Sequence, residues 1–281
     1  MIHGDGADLT EGADRTDRAS ETSEANSTGA SSGAAALPWD PPLQAHDLLR
    51  IDPLTHFHGA PAWVAAALAR APWVVVRRAR DAPACVPIGV RGASRGERYG
   101  ARLAPGQIIA RVRPEALAGL LASRDGGARG GCVEREAGAA RASDVMPALA
   151  MLPALRAVFA AADLRWGPTG SVGFELASGV PTATATSDLD LLVRCPQRLS
   201  RSAAHRLRDA LAEVSRHHAG CRIDALLETP HGAVALTEYA AAAGPVLLRT
   251  TGAPRLSADP WSPDVTARPA AADSAAGSTH G

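Results

Sequence analysis

The chain has 281 residues, 46% of them hydrophobic, and its 29 basic residues, all of them arginine, balance 29 acidic ones. Such a chain can bury a core of two modest domains, and its zero net charge gives no support to a nucleic-acid partner. Neither a run of eighteen apolar residues nor a secretory signal pattern is present, so we expect no membrane partner and a cytoplasmic protein.

The first and last parts of the chain predict disorder. Residues 1–36 form an acidic stretch rich in Ser, Gly and Ala, and residues 257–281 repeat that composition with added Pro. Segments with so few large apolar residues cannot offset the entropy cost of ordering. We therefore expect a disordered tail at each end.

Residues 39–122 predict a small N-terminal α+β domain. Pro61 suits the first turn of a helix that runs to residue 70, and Pro114 opens a second, shorter helix. Between them, β-branched and alternating segments predict strands, with a polar, arginine-rich loop between the last two. The predicted strands cover residues 73–76, 86–90 and 107–112.

A glycine-rich linker at residues 123–143 precedes the second predicted domain, residues 144–256. Apolar residues at helical spacing predict a helix near residues 149–159, kinked or split by Pro153. Further patterns predict three strands and two helices. The strands cover residues 164–167, 187–193 and 222–227, and the helices cover 174–177 and 201–217. The fold class is thus α+β, with a mixed sheet and flanking helices in this second domain.

Asp188 and Asp190 are the strongest candidates for chemistry. They alternate with Leu189 and Leu191, so on a strand both carboxylates leave one face, about 6 to 7 Å apart along the backbone. Paired carboxylates repel each other unless a cation neutralises them, and Mg²⁺ is bound by few carboxylates together with substrate phosphates. The pattern predicts a Mg²⁺ site, with Mn²⁺ as an alternative ion. The competing interpretation is a turn residue followed by a solvated one.

Two further features support the metal hypothesis. Gly170 and Ser171 follow a predicted strand and open a helix, an arrangement in which backbone N–H groups and the helix N-terminus bind phosphate. Asp224 alternates with apolar residues on a later strand and completes the site if the two strands are neighbours. We therefore predict phosphate binding at Gly170 and Ser171 and a third metal ligand at Asp224.

This succession of a Gly-Ser turn, a strand with two carboxylates and a later third carboxylate resembles the nucleotidyltransferase superfamily. The stretch between Ser171 and Asp188 is longer than the superfamily usually has, which implies an insertion at residues 177–186.

A closer resemblance covers most of the predicted ordered chain. It rests on the segments HDLL (46–49), PIGVRG (87–92), RGERY (95–99), GSVGFEL (170–176) and SDLDLL (187–192). They resemble the phosphoribosyl-dephospho-CoA transferases of malonate decarboxylase. The resemblance implies transfer of a prosthetic group from 2′-(5″-triphosphoribosyl)-3′-dephospho-CoA to a serine of the apo acyl-carrier subunit, with release of diphosphate. Asp188 and Asp190 would hold the metal, and Asp224 would hold metal or accept the serine proton.

Arg91 and Arg95 lie in the resembling loop, together with Arg98. Guanidinium groups bind phosphate oxygens in a fork, so we predict that Arg91 and Arg95 bind substrate phosphate. The alternative is a solvated surface loop in which Glu97 pairs with one of them.

Two other functions remain open at this stage. The same fold could transfer AMP from ATP to another acceptor, or the chain could be a non-catalytic assembly factor for a decarboxylase. The histidines offer no ligand spacing, and we assign no chemical role to His46. The four cysteines form no CxxC pair and are interpreted as reduced thiols without a function.

Overall fold

A computed structural model describes residues 39–80, 84–94, 96–125 and 146–263 of the chain. These ranges contain helices together with antiparallel and mixed sheets, which confirms the α+β class predicted from the sequence. Within them, no helix is both long enough and apolar enough to cross a membrane.

The first half of the described chain forms a five-stranded antiparallel sheet. Its strands are β1 (Leu48–Ile51), β2 (Trp73–Val76), β3 (Val86–Arg91), β4 (Arg98–Leu103) and β5 (Ile108–Val112), in the spatial order β4-β3-β2-β1-β5. The predicted strand at residues 73–76 is confirmed, and the other two predicted strands differ from the structure by one residue at an end. Helix α1 (Ala62–Arg70) follows Pro61 as predicted and packs its Val64 into the core on one face of the sheet.

The other face of this sheet is only partly covered. Leu48, Val75 and Val112 are cross-strand partners and pack with Leu117 and Phe174 from later in the chain. The same row of partners continues through Gly89 of β3 to Gly100 of β4, where no side chain projects from the sheet. One end of this face is therefore apolar and covered, and the other end is bare.

Between the two sheets, the described residues 113–164 without 126–145 form three helices. They are α2 (Pro114–Asp125), α3 (Pro147–Ala150) and α4 (Leu152–Ala161). The break between α3 and α4 confirms the split predicted at Pro153, because proline suits the first turn of a helix but not its interior. The buried face of α4 carries the predicted Leu152, Leu155 and Phe159.

The second half contains a four-stranded mixed sheet in the order β6-β7-β8-β9. Its strands are β6 (Arg165–Pro168), β7 (Leu189–Arg194), β8 (Ile223–Thr229) and β9 (Gly232–Ala235). Strands β7 and β8 are parallel, and the other two pairs are antiparallel. The remaining elements are helices α5 (Gly170–Ser178), α6 (Arg201–His217) and α7 (Leu236–Ala241), and the two-stranded pair β10 (Val246–Leu248) and β11 (Arg255–Ser257).

Helix α6 makes the crossover that parallel strands require. The Ser200 side chain accepts a hydrogen bond from the backbone N–H of Ala203 at 3.1 Å, which caps the helix at its N-terminus. The predicted range of residues 201–217 is confirmed, and Leu207, Leu211 and Val214 are buried on one face.

The structure corrects two predictions. The arginine-rich segment predicted as a loop is a hairpin, because strand β4 starts at Arg98 and pairs Arg98 directly with Arg91. The fold also continues beyond the predicted boundary at residue 257, since Trp261 packs edge-on against Tyr239 and its indole N–H donates to the Cys195 carbonyl at 2.8 Å. The predicted division into two domains stays a prediction.

Buried charges connect the two halves. Arg111 pairs with Asp47 at 2.7 Å, and the Arg194 Nε donates to Glu115 Oε1 at 2.5 Å. The Arg194 Nη2 lies 3.9 Å from Asp47 Oδ1, and neither atom has a hydrogen-bond partner among the described residues. Asp47 and Arg111 belong to the first sheet region, and Arg194 lies on β7, so this network bridges both sheets.

Candidate active site

A cavity of about 730 Å³ lies between the two sheets. One wall is the partly bare face of the first sheet, with Val75, Gly89 and Gly100. The opposite wall comes from the second sheet and carries the carboxylates of Asp190 and Asp224. Two of the three predicted acidic residues therefore line one cavity.

Asp190 and Asp224 are direct partners on the parallel strands β7 and β8. Neighbouring strands lie about 4.8 Å apart, so the two side chains leave the sheet side by side. Asp224 also forms an ion pair with Arg222 at 2.8 Å. That pair is partly exposed to solvent, so its exchange for a cation would cost little.

The turn before α5 lies directly against Asp190. Gly170 has a left-handed backbone (φ 59°), and a Cβ atom at this position would lie 1.9 Å from Asp190 Oδ2. The backbone N–H of Thr169 donates to the Asp190 carbonyl at 2.8 Å. Only glycine fits here, because it both accepts the positive φ and leaves room for the carboxylate. The structure thus places the predicted Gly170 turn next to one of the predicted carboxylates.

Asp188 lies just before β7 and is partly exposed. It is outside the cavity lining, and its charge, together with the larger effect of burial, raises the pKa of the Cys221 thiol. Leu189 and Leu191 are buried, as the alternation in sequence predicts, while Asp188 and Asp190 are both only half-buried. The two carboxylates are therefore both partly accessible, with Asp190 nearer the cavity.

Of the other predicted phosphate-binding residues, one lines the cavity, one does not, and one is not described. Ser171 is buried and does not line the cavity; its neighbour Thr169 does. Arg91 lines the cavity from β3. Arg95 lies outside the described residues. Arg98 also lines the cavity, but its guanidinium donates to the carbonyls of Ser94 and Glu97 in its own hairpin.

His46, Arg77 and Arg249 are among the lining residues that the sequence did not identify as site residues. His46 precedes β1 with a left-handed backbone (φ 73°). Burial, and then the charges of Arg78, Arg194 and Arg249, lower the pKa of His46 to about 4, so its imidazole is neutral at neutral pH. The only sequence signal for His46 was its position in the resembling segment HDLL.

The carboxylates at the cavity can be compared with the ligands that a divalent cation requires. Carboxylate oxygens are the protein ligands that Mg²⁺ prefers, and one or two of them suffice when substrate phosphates complete the coordination. The adjacent Asp190 and Asp224 and the space kept open at Gly170 fit that demand. Among the described residues, no three His, Cys, Asp or Glu side chains converge into a ready-made metal cluster. Residues of this kind suit an ion that arrives with a phosphate substrate.

Comparison with known proteins gives a consistent result over both halves. Residues 44–114 match the family model of the phosphoribosyl-dephospho-CoA transferase MdcG N-terminal domain, and residues 137–260 match that of the C-terminal domain. A phosphoribosyl-dephospho-CoA transferase of Pseudomonas putida (strain W619) is 40% identical over 219 residues, which is 78% of this chain and 95% of the relative.

Relatives of the same name from Pseudomonas aeruginosa and Azotobacter vinelandii show similar identity. The one from Pseudomonas aeruginosa is 43% identical over 220 residues, covering 78% of this chain and 93% of the relative. The one from Azotobacter vinelandii is 40% identical over 225 residues, covering 78% and 94%. No solved structure matches the chain.

Proposed function

The chain belongs to the phosphoribosyl-dephospho-CoA transferase family, and we propose that it attaches the prosthetic group of malonate decarboxylase. The donor would be 2′-(5″-triphosphoribosyl)-3′-dephospho-CoA, and the acceptor a serine of the apo acyl-carrier subunit. The observation that carries the proposal is the pairing of Asp190 with Asp224 beside the Gly170 turn, at the wall of a cavity between the sheets.

The reaction breaks a phosphoric anhydride bond of the donor and forms a phosphate ester with the serine. The serine oxygen forms a bond to the α-phosphorus, the bond from that phosphorus to the bridging oxygen of the β-phosphate breaks, and diphosphate leaves with the electron pair. Such displacements depend on positioning and charge neutralisation more than on covalent help from the protein. We propose that Asp224 accepts the serine proton where it does not serve as the third metal ligand; either role requires its ion pair with Arg222 to open.

We propose that Asp188 and Asp190 hold Mg²⁺, with Mn²⁺ as a substitute, and that Asp224 joins them when substrate is bound. A bound divalent ion would stabilise charge on the attacking and leaving oxygens. The neighbouring turn contributes backbone N–H groups at the start of α5, where the helix dipole favours a phosphate. Arginines around the cavity, among them Arg77, Arg91 and Arg249, oppose the negative charge of the donor.

The test is direct attachment. The purified chain is incubated with the apo acyl-carrier subunit, the triphosphoribosyl donor and Mg²⁺, and the carrier is analysed by intact-mass spectrometry. We expect the carrier to gain the mass of the phosphoribosyl-dephospho-CoA group and diphosphate to appear in equal amount. A carrier whose serine is replaced by alanine is the control and should gain no mass.

The same assay separates this proposal from its rivals. With ATP as the only donor, we expect no AMP mass on the carrier, and ATP should raise the melting temperature less than the triphosphoribosyl donor does. Mass added from ATP would point to general adenylyl transfer. No mass added from either donor would leave an assembly role as the better explanation.

A further inference from the structure

The bare end of the first sheet is a shallow trough in the cavity wall. Gly89 of β3 and Gly100 of β4 are direct cross-strand partners, so two neighbouring positions of the sheet carry no side chain. The next partner in the row, Val75, belongs to the apolar part that packs with Phe174. The trough thus begins where the packing between the two halves ends, and both glycines line the cavity.

The side chain of Arg77 lies in this trough. A Cβ atom on Gly89 would be 3.4 Å from Arg77 Cδ, and a Cβ atom on Gly100 would be 2.2 Å from Arg77 Nη1. The aliphatic part therefore crosses β3, and the guanidinium rests on β4. Because the backbone φ of Gly100 is not in the left-handed region, its glycine is needed for space and not for conformation.

Among the described residues, no carboxylate neutralises the charge of Arg77. In the described part of the chain it forms no ion pair, whereas other nearby arginines are engaged: Arg78 with Glu228, and Arg222 with Asp224. A guanidinium whose Nη1 end lies over Gly100, at the cavity and without a carboxylate partner among the described residues, is organised in advance to bind an anion in a fork. Arg249 lines the same cavity and likewise has no carboxylate partner among the described residues.

We propose that the Gly89–Gly100 trough and Arg77 form a diphosphate subsite, which holds the β- and γ-phosphates of the donor and then the leaving diphosphate. This inference rests on the proposed function and extends it to the wall opposite the carboxylates. Under the proposed function, Asp190 and Asp224, which line the cavity, would act at the α-phosphate, where the bond breaks. The leaving group carries most of the negative charge, and Arg77 is a cation on the facing wall that is free to meet it.

The experiment measures binding of inorganic diphosphate to the purified full chain by isothermal titration calorimetry in the presence of Mg²⁺. We expect Arg77→Ala to weaken diphosphate binding about tenfold or more, because a charge-assisted, forked contact is lost. Gly100→Ala is the sharper variant. It keeps every charge, and its Cβ only displaces the end of a flexible arginine, so the sheet is preserved while Arg77 leaves the trough.

Arg102→Ala is the matched control. Arg102 is an exposed arginine on the same strand outside the cavity lining, and its removal changes the net charge by the same amount. We expect its diphosphate affinity to equal that of the unmodified chain. The double variant Arg77→Ala with Gly100→Ala should bind no more weakly than Arg77→Ala alone, because both changes remove one contact.

The proposal is overturned if the unmodified chain does not bind diphosphate, if Arg77→Ala binds it normally, or if Arg102→Ala weakens binding equally. Steady-state transfer assays separate the subsite from the function. Normal attachment of the prosthetic group with an unchanged KM for the donor in Arg77→Ala would reject the subsite and keep the function. Arg77-dependent diphosphate binding without any attachment would keep the subsite and reject the function.

Discussion

At the scale of single residues, alternation along a strand predicted that Asp188 and Asp190 share a face, but β7 begins at Leu189 and, of the two, Asp190 alone lines the cavity. Their role as metal ligands stays a prediction. Alternation does not reveal which residue of the next strand stands opposite. The register that pairs Asp190 with Asp224 follows from the crossover of α6 and is visible only in the structure. His46 and Arg77 were missed because they enter the cavity from a separate sheet, more than a hundred positions earlier in the chain.

We expect Asp190→Asn and Asp188→Asn each to lower the transfer rate on the order of a thousandfold, because losing a charged ligand removes stabilisation of the transition state. The rate of prosthetic-group attachment checks this at saturating donor. Asp209→Asn, on the exposed surface of α6, should keep full activity. Full activity in Asp190→Asn would show that Asp190 is not needed for the chemistry.

His46 makes stability depend on pH. In the unfolded chain a histidine takes up its proton near pH 6.5, whereas burial and the nearby arginines hold the pKa of folded His46 at about 4. The unfolded state therefore binds more protons between these values, and stability falls as pH falls through that window. The free energy of unfolding is therefore unaffected by the titration of His46 above about pH 6.5, and we expect it to be about 2 kcal/mol lower at pH 5.

Urea unfolding at pH 7 and pH 5 measures this effect. The comparison variant is His46→Asn, since asparagine tolerates the left-handed backbone at residue 46 and does not titrate. Asp47, whose pKa is raised by burial, titrates in both proteins and cancels in the difference. An equal loss of stability in the two proteins would show that His46 is not the cause.

At the scale of elements, patterns of period 2 and 3.6 predicted the strands and helices that have one buried face. Helix α6 was predicted at its observed bounds because its apolar residues recur at helical spacing and a glycine follows its end. Strand β4 was missed because glycine and arginine occupy its outward positions, a composition typical of loops. Gly100 is one of the residues that made β4 look like a loop, and it is also the residue that leaves space for the Arg77 side chain. The same glycine therefore hid both the strand and the position of Arg77 from sequence analysis.

The importance of the turn before α5 for activity can be tested by substituting Gly170 and, as a control, Gly179, which has a similar left-handed backbone. Gly170→Ala should cost about 1 to 2 kcal/mol for its left-handed backbone and should also displace Asp190, so we expect a large loss of transferase activity. Gly179→Ala, at the other end of α5, has a similar φ of 73° and open space around its Cβ.

Gly179→Ala should therefore lose similar stability from backbone strain and keep its activity. The measurements are the urea midpoint and the initial rate of attachment. If both variants kept their activity, the contact between Gly170 and Asp190 would be irrelevant to the reaction.

At the scale of the whole molecule, buried charges hold the two halves together. Asp47 is fully buried and faces Arg111 and Arg194, which are nearly so. Asp47→Asn should lower the free energy of unfolding by about 3 to 5 kcal/mol, because two buried guanidinium groups lose their shared counter-charge. Chemical denaturation at pH 7 measures the loss.

The exposed pair Arg208–Asp209 gives the control for this prediction. Asp209→Asn should change stability by less than about 1 kcal/mol, since exposed ion pairs contribute little. A similar small change in Asp47→Asn would mean that the buried network does not stabilise the fold. The sequence could not predict this network, because its members come from three distant parts of the chain and each arginine resembles the many others in the sequence.

The cavity has one wall from each sheet, so we expect that neither half of the chain is active by itself. A fragment with residues 146–263 contains Asp188, Asp190 and Asp224 and lacks Arg77. A fragment that ends at residue 125 contains Arg77 and lacks all three aspartates. When the two fragments are mixed, we expect transferase activity to return only as they associate. The rate would then rise with fragment concentration, as for a heterodimer, while the uncut chain would show no such dependence.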